Sequence, residues 1–224
     1  SDQYEAWFYE QGGLDWAREA YAKAGLFYIA PTVYGEEPIH SKVRMETIAD
    51  MAGKKGRFVG LAAAVMAELG VSVTPMATSE VYSGLEKGLI DFADRGDLTA
   101  NYEAGLGEVA KYIILPGVHQ PTTATSYVAN TAAYNALPDS FKAALAVAAR
   151  EISGSLRQHI LVQNVHVIKK YEEQGVEIIQ FDQGDILAAR LKAVEAWKKA
   201  TKDDELATKI LDSQIAFMTS LGLL

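Results

Sequence analysis

One long segment without an internal proline constrains the fold most: it runs from Pro138 to Gln174, and Gly175 closes it. A helix over these positions would be roughly 55 Å long, because an α-helix rises about 1.5 Å per residue. A single apolar stripe of that length is typical of a helix that packs behind two lobes. We expect this stripe to consist of Phe141, Leu145, Ala148, Ile152, Leu156, Ile160 and Val167.

Short apolar runs alternate with helical segments along the rest of the chain. Strands are predicted at 26–33, 56–59, 71–74, 89–93, 112–115, 123–129 and 176–181. Helices are predicted at 1–24 with a break at Gly12-Gly13, and at 47–52, 60–69, 79–87, 99–111, 186–200 and 204–221. Strands that alternate with helices of about 10 residues indicate an α/β layered fold.

Composition excludes several kinds of protein. The formal net charge of -8 argues against a nucleic-acid partner or an anionic membrane surface, because both require a basic face. It does not exclude an anionic ligand, since one buried arginine can outweigh a diffuse surface charge. The chain has no Cys, which excludes thiol catalysis, disulfides and Cys-ligated metals. No apolar run approaches the ~20 residues of a membrane span, and no signal peptide is visible at Ser1.

Motifs of known catalytic chemistry are absent from the sequence: there is no nucleophile elbow, Walker loop, dinucleotide glycine fingerprint or HExxH. His159 and His166 share a helix face but lie about 10 Å apart, too far to bind one metal. The cell-adhesion tripeptide at 95–97 is attributed to chance. An enzyme would have to use Asp94, Arg95 and His119 as an acid–base cluster, and nothing in the sequence supplies an activated nucleophile or a cofactor motif.

Charged residues stand at two predicted strand ends. Arg57 ends one strand just before a helix that opens at Gly60, and Asp94 and Arg95 end the strand over 89–93. Open α/β sheets bind ligands at the carboxyl ends of their strands, and arginine is the best carboxylate clamp because its fork donates two parallel hydrogen bonds. The alternatives are a surface role for Arg57 and a local ion pair between Asp94 and Arg95.

Several segments together resemble a known family. They are KKGRF at 54–58, MAELG at 66–70, SEVYSGLEKGLID at 79–91, VAKY at 109–112, PG at 116–117, Asn130 and ALP at 136–138, followed by the long helix. This combination is similar to the DctP-like solute-binding subunits of TRAP transporters over nearly the whole chain. The nearest resemblance is to the branch that binds 2-oxo acids or lactate together with a metal ion.

The resemblance implies an α/β fold of the periplasmic-binding-protein type, a two-lobe clamshell with mixed sheets and one long lobe-spanning helix. It also implies that this chain lacks most of the first lobe, since family members carry a further strand–helix–strand–helix segment before the position of Ser1. On this basis, residues 1–94 belong mainly to the second lobe, and 95–136 form hinge strands and return to the first lobe. The long helix then covers 137–175, and 176–224 hold the last strand and the terminal helices.

Site residues can be carried over by position. The ligand-clamping arginine of the family falls on Arg57, and an amide residue that contacts both ligand and metal falls on Glu36. The two acidic metal ligands of the family fall on Asp94 and Gln120. The amide and one carboxylate have thus exchanged places, since Glu36 stands at the amide position and Gln120 at an acidic one. Oxygen ligands of this kind suit Na⁺ or Ca²⁺. The alternative is that the metal site was lost.

Two more residues complete the expected ligand site, His119 and Arg95. Arg95 stands where the metal-dependent branch has an aromatic residue, and it would add a second cation to the site. We therefore expect a dicarboxylate or polyhydroxy acid in preference to pyruvate. The alternative is that Arg95 folds back to pair with Asp94 or Asp97.

The resemblance implies a periplasmic receptor that holds a small organic-acid anion and passes it to TRAP membrane subunits. A sensory ligand-binding domain of a signal-transduction receptor is the alternative. A homodimer through the C-terminal helix is also expected, with docking of that helix on its own long helix as the alternative. Leu206, Ile210, Ile215, Met218 and Leu221 would form the contact face of the helix.

Overall fold

The computed structural model describes residues 1–224 and contains eight strands and ten α-helices. The strands are β1 (Leu26–Tyr34), β2 (Ile39–Ser41), β3 (Lys55–Arg57), β4 (Ser72–Val73), β5 (Phe92–Ala93), β6 (Tyr112–Leu115), β7 (Thr123–Asn130) and β8 (Glu177–Gln180). The helices are α1 (Asp2–Glu10), α2 (Gly13–Ala22), α3 (Gly60–Glu68), α4 (Val81–Glu86), α5 (Leu98–Glu103), α6 (Leu106–Val109), α7 (Thr131–Asn135), α8 (Asp139–Glu173), α9 (Gln183–Thr201) and α10 (Glu205–Ser220). Short 3₁₀ helices cover Ile48–Met51 and Thr78–Glu80.

The chain divides into two compact units. Unit 1 consists of Ser1–Gly35, Thr122–Leu161 and Asp203–Leu223. Unit 2 consists of Glu36–Pro121, Val162–Lys202 and Leu224. None of the helices combines the length and the apolar character that a bilayer crossing requires.

Unit 1 is built on a two-stranded antiparallel sheet, in which β1 pairs with β7 from Leu26 opposite Asn130 to Tyr34 opposite Thr123. Aromatic side chains of α1 and β1, among them Trp7, Phe8 and Tyr28, form its main apolar cluster. The terminal helix α10 packs on this cluster within the same chain.

The packing face of α10 differs in part from the predicted one, which included Ile210. Ile210 and Phe217 join the aromatic cluster, Leu211 is buried, and the Trp7 indole Nε1 donates to Ser213 Oγ at 3.1 Å. The helix therefore contacts α1 and α2, which neither sequence alternative anticipated. Its predicted part in a homodimer stays a prediction.

The long helix was predicted correctly, but its buried face only in part, since Val167 of the predicted stripe is buried. Helix α8 runs from Asp139 to Glu173, within one residue of the expected bounds. Two members of the predicted stripe, Phe141 and Ile152, are 62% and 48% exposed. In unit 1 the buried positions of α8 are instead Ala149 and Ser153.

Small residues occupy that face because α8 comes close to the backbone of β1. Ala149 packs against Ile29 and Ala30 in one apolar cluster. The Val33 amide donates to Ser153 Oγ at 3.0 Å, so the hydroxyl binds a strand N–H that the two-stranded sheet leaves unpaired. Larger side chains at these positions would push the helix away from the strand.

Unit 2 contains a six-stranded mixed sheet in the order β4-β3-β5-β2-β6-β8. β3 lies parallel to both β4 and β5, whereas β2 runs antiparallel to β5 and β6. The largest apolar cluster on this sheet includes Ile39, Met45, Phe58, Met66, Phe92 and Ile114. Full burial of each such side chain stabilises the fold by about 1.5–3 kcal/mol.

Gly56 explains how β3 fits into this core. A Cβ at this position would lie 2.8 Å from both Phe58 Cε2 and Val71 Cγ1, and 2.9 Å from Phe92 Cζ. Only glycine therefore lets the two aromatic rings close over the strand. This packing fixes the position of the end of β3, where Arg57 lies.

Two elements of unit 2 differ from the sequence prediction. The helix expected over 99–111 is divided into α5 and α6, because Gly105 adopts a left-handed conformation with φ 75°. The strand β2 was not predicted, since it has three residues and two of them, His40 and Ser41, are polar. Their burial depends on partners that lie far away in the sequence.

Candidate functional site

Arg57 lies at the carboxyl end of β3, buried beside the end of β5. In this parallel pair Arg57 stands opposite Ala93, and the Asp94 amide extends the ladder by donating to the Arg57 carbonyl at 3.3 Å. The residue is 4% exposed, so the alternative of a surface role for Arg57 is wrong. The register of the two strands places Arg57 and Asp94 next to each other.

The guanidinium of Arg57 is held by four hydrogen bonds. Nε donates to the Met76 carbonyl at 3.0 Å, and Nη2 donates to Thr78 Oγ1 at 3.2 Å. Nη1 donates to the Asp94 carbonyl at 3.1 Å and to Asp94 Oδ1 at 2.9 Å. Because a guanidinium has five N–H groups, one on Nη2 is left for a further acceptor. The partner of Asp94 is thus Arg57, and the predicted local pair with Arg95 is absent.

His119 approaches the other oxygen of Asp94. Its Nε2 lies 3.3 Å from Asp94 Oδ2, and its ring meets the edge of Phe58 at a centroid distance of 4.8 Å. The side chain is fully buried, yet neither ring nitrogen has a hydrogen bond of good geometry. A buried polar group without a partner costs about 1–3 kcal/mol. A hydrogen-bond donor or acceptor on a ligand would therefore provide the partner that the His119 ring nitrogens lack.

A tight turn brings the remaining predicted residues to the same region. The Gly117 amide donates to Glu36 Oε2 at 2.7 Å, and the Gln120 amide donates to the Gly117 carbonyl at 2.9 Å. The Glu37 amide donates to the Gln120 carbonyl at 3.1 Å. These bonds tie Glu36 and Gln120 to the turn that carries His119, and His119 in turn contacts Asp94.

The donors of this region have the right chemistry for a hard cation. Glu36, Asp94 and Gln120 offer carboxylate and amide oxygens, and Glu36 uses Oε2 to accept from the Gly117 amide. No three His, Asp or Glu side chains converge on one point in the structure. Asp94 is also partly neutralised by Arg57. A cation held here would therefore complete its coordination with oxygens from the ligand or from water.

Arg95 lies apart from both neighbouring carboxylates. Its Nη1 donates to the Ala100 carbonyl at 3.1 Å. Asp97 Oδ1 caps helix α5 by accepting from the amides of Thr99 and Ala100 at 2.8 and 3.0 Å. Asp94 pairs with Arg57. The alternative in which Arg95 folds back onto Asp94 or Asp97 is therefore wrong in this structure.

Sequence reasoning missed a buried polar network beside Arg95. His40 Nε2 lies 3.0 Å from Tyr171 Oη, and Asn101 Nδ2 donates to the Gly96 carbonyl at 2.7 Å. Tyr171 Oη also donates to the Leu98 carbonyl at 3.3 Å. Burial lowers the pKa of His40 to about 3 and raises the pKa of Tyr171. No local signal could predict this network, because His40 and Tyr171 are 131 positions apart.

Comparison with known proteins places the chain in a family. Residues 1–204 match the DctP family, described as bacterial extracellular solute-binding protein, family 7. A monocarboxylate 2-oxoacid-binding periplasmic protein of Nostoc sp. is 23% identical over 218 residues, which is 97% of this chain and 60% of that protein. The chain thus spans about 60% of the length of this curated relative.

Solved structures agree with this assignment. A TRAP periplasmic solute-binding protein from Pseudoalteromonas atlantica, with bound sodium and pyruvate, has a TM-score of 0.81 and 27% identity, covering 98% of this chain and 68% of that one. A protein of the same kind from Colwellia psychrerythraea, with bound calcium and pyruvate, has a TM-score of 0.83 and 25% identity, covering 99% and 68%. Neither is described as a sensory receptor.

These similarities confirm the predicted fold class, the α/β fold of a TRAP solute-binding protein of which this chain carries a part. The matching family is one of binding proteins and not of enzymes, in agreement with the missing catalytic motifs. The chain therefore belongs to family 7 of the bacterial extracellular solute-binding proteins, the DctP family.

Proposed function

We propose that this protein is the periplasmic receptor of a TRAP-type transporter, which binds a small organic-acid anion and delivers it to the membrane subunits. The observation that carries the proposal is the buried cluster of Arg57, Asp94 and His119 at the ends of adjacent parallel strands. It combines a fixed cation with an imidazole that lacks a hydrogen bond. Such a cluster suits recognition of a carboxylate.

Arg57 is the proposed clamp, and its surroundings make it rigid. The Met76 carbonyl, Thr78 hydroxyl and Asp94 hold the guanidinium before any ligand arrives, so little side-chain entropy is lost on binding. The free N–H on Nη2 and the His119 ring are the groups that would meet a ligand oxygen. A bidentate grip on a carboxylate would require Asp94 or Thr78 to give up its bond to Arg57.

A cation at this site is part of the proposal. The oxygens of Glu36, Asp94 and Gln120 would hold Na⁺ or Ca²⁺, the ions found with pyruvate in the two structural relatives. A bound cation would offset the charge that a ligand carboxylate brings into a buried site. Calorimetry in the presence and absence of Ca²⁺ would show whether the ion strengthens carboxylate binding.

The test of the function is calorimetry with a panel of organic acids on the purified protein and on two Arg57 variants. We expect Arg57→Ala to weaken binding by about 2–5 kcal/mol, because truncating one partner of a buried charged pair costs that much. Because Arg57→Ala also leaves Asp94 buried without its cation, a second variant, Arg57→Lys, is measured beside it. Arg57→Lys keeps the positive charge but removes the planar guanidinium.

The matched control is Arg44→Ala, which removes an exposed arginine paired with Glu46 and Glu177. It should bind like the unmodified protein. Circular dichroism would verify the fold of each variant. Equal affinity of the unmodified protein and both Arg57 variants, or no binding of any acid in the panel, would contradict the proposal.

A further inference from the structure

We infer that a buried polar network positions the loop between β5 and α5, which covers 94–97, and through it the proposed ligand clamp. The network consists of His40, Asn101 and Tyr171, all of them fully buried. The inference rests on the proposed function, because the loop carries Asp94, the partner of the clamp. None of the three network side chains is among the groups proposed to contact the ligand or the cation.

The clamp depends on the backbone of this β5–α5 loop as well as on a side chain. Nη1 of Arg57 donates to both the carbonyl oxygen and Oδ1 of Asp94, at 3.1 and 2.9 Å. The Asp94 amide in turn donates to the Arg57 carbonyl at 3.3 Å. A displacement of the loop would therefore disturb three hydrogen bonds at once. It would also turn the guanidinium away from the orientation in which its free N–H group meets a ligand.

Each member of the network holds a different part of this segment. Asn101 Nδ2 donates to the Gly96 carbonyl at 2.7 Å, which ties the loop to α5. Tyr171 Oη donates to the Leu98 carbonyl at 3.3 Å, which ties the first turn of α5 to the long helix α8. His40 joins the two anchors, since its Nε2 lies 3.0 Å from Tyr171 Oη and its Nδ1 lies 3.4 Å from Asn101 Nδ2. The segment is thus held from β2, α5 and α8 together.

The sheet gives the network a fixed base beside the site. His40 stands opposite Ala93 in the antiparallel pair of β2 and β5, and Asp94 is the next residue. Strand β2 is paired on both sides, with β5 and with β6, so its backbone has little freedom to move. Hydrogen bonds are directional, whereas apolar contacts are not. A polar network at this place therefore fixes one conformation of the loop, which apolar packing alone would not do.

Tyr171→Phe is the variant that isolates the network from the packing around it. It removes the hydroxyl that contacts both His40 and the Leu98 carbonyl. The aromatic ring remains, and with it the apolar cluster that Tyr171 forms with Ile113, Val167 and other buried side chains. The loop then loses its connection to α8, while the core around the ring is retained.

The experiment measures ligand affinity and local opening of the loop. Calorimetry of Tyr171→Phe with pyruvate and with malate, each with Ca²⁺, should show about fivefold weaker binding, the factor that one lost hydrogen bond corresponds to. Hydrogen exchange on the ligand-free variant should be about fivefold faster at the Asp94 and Asn101 amides, because their protection depends on the closed loop. Amides of β6, which is paired on both sides, should keep their protection.

Two control variants separate positioning from a general loss of stability. Tyr82→Phe removes an exposed hydroxyl that donates to Glu108 Oε2 at 2.8 Å, so it is the matched loss of one phenolic hydrogen bond. Ile179→Val weakens the buried core in β8, at the opposite edge of the sheet from β3 and β4. Both controls should bind the two acids like the unmodified protein, and both should leave exchange at Asp94 unchanged.

The outcomes distinguish this inference from the proposed function. If Tyr171→Phe leaves either the affinity or the Asp94 exchange unchanged, or if Ile179→Val reproduces both effects, the positioning role is overturned while the receptor function stands. If the unmodified protein binds neither pyruvate nor malate, the receptor function loses its support from these acids. Exchange at Asp94 in the ligand-free variant then decides by itself whether the network fixes the loop.

Discussion

The buried His40 predicts a specific loss of stability in mild acid. Its ring is fully buried, contacts Tyr171 Oη at 3.0 Å, and has a pKa lowered by burial from 6.5 to about 3. The folded protein therefore keeps His40 neutral, whereas the unfolded chain takes up a proton as the pH falls below 6.5. Because the unfolded state binds more protons in this window, the free energy of unfolding falls as the pH falls.

The magnitude follows from the same two values. The fraction of unfolded chains with a protonated His40, integrated from pH 7 to pH 5, amounts to about 1.4 pH units. In the folded state this integral is close to zero. At 1.36 kcal/mol per unit, the His40 contribution to this loss is about 2 kcal/mol. The loss continues toward pH 3, where the folded ring also begins to protonate.

Urea unfolding followed by circular dichroism at pH 7 and pH 5 measures this effect. In His40→Asn, the drop between the two pH values should be smaller than in the unmodified protein by about 2 kcal/mol. His159→Gln, which removes an exposed histidine, should retain the full drop. If His40→Asn shows the same pH dependence as the unmodified protein, the ring is not held neutral by burial and the reasoning is refuted.

Two further predictions concern the turn at Gly117 and the terminal helix. Gly117→Ala would place a Cβ 1.9 Å from the Glu37 carbonyl oxygen, so we expect at least about 1–3 kcal/mol of destabilisation by urea unfolding and weaker carboxylate binding. Gly154→Ala, where a Cβ meets nothing within 4 Å, should cost no stability, and equal effects would contradict the argument. In the predicted homodimer, the face of α10 that packs against Trp7 is already covered within the chain. Contact between the two protomers should therefore use Leu221, which is exposed directly after α10. Light scattering should show a dimer that Leu221→Asp dissociates, and a monomeric mass of the unmodified protein would exclude it.

The sequence alone predicted features that depend on neighbouring residues. The bounds of α8 follow from the proline-free run and from Gly175, whose φ of 77° ends the helix, and both signals are local. The α/β alternation and the family segments are likewise visible in the order of residues. Asp94 was placed at a strand end because it follows a short apolar run, and Arg57 because a helix opens shortly after it at Gly60.

What the side chains at those strand ends contact was decided by the tertiary structure. Arg57 and Asp94 are 37 positions apart, and only the parallel register of β3 and β5 turns them into a buried ion pair. The same pairing leaves Arg95 without a counter-ion, because the carboxylate next to it is already bound. A sequence shows the charges but not which of them neutralise each other.

Burial was also decided by the tertiary structure. Apolar Phe141 and Ile152 are exposed on α8, while Ala149 and Ser153 are buried, because close approach to β1 admits only small side chains. His40 is buried because Tyr171, far away in the chain, provides its hydrogen-bond partner. Hydrophobic periodicity identifies a helix, but which face is covered depends on the shape of the segment that packs against it.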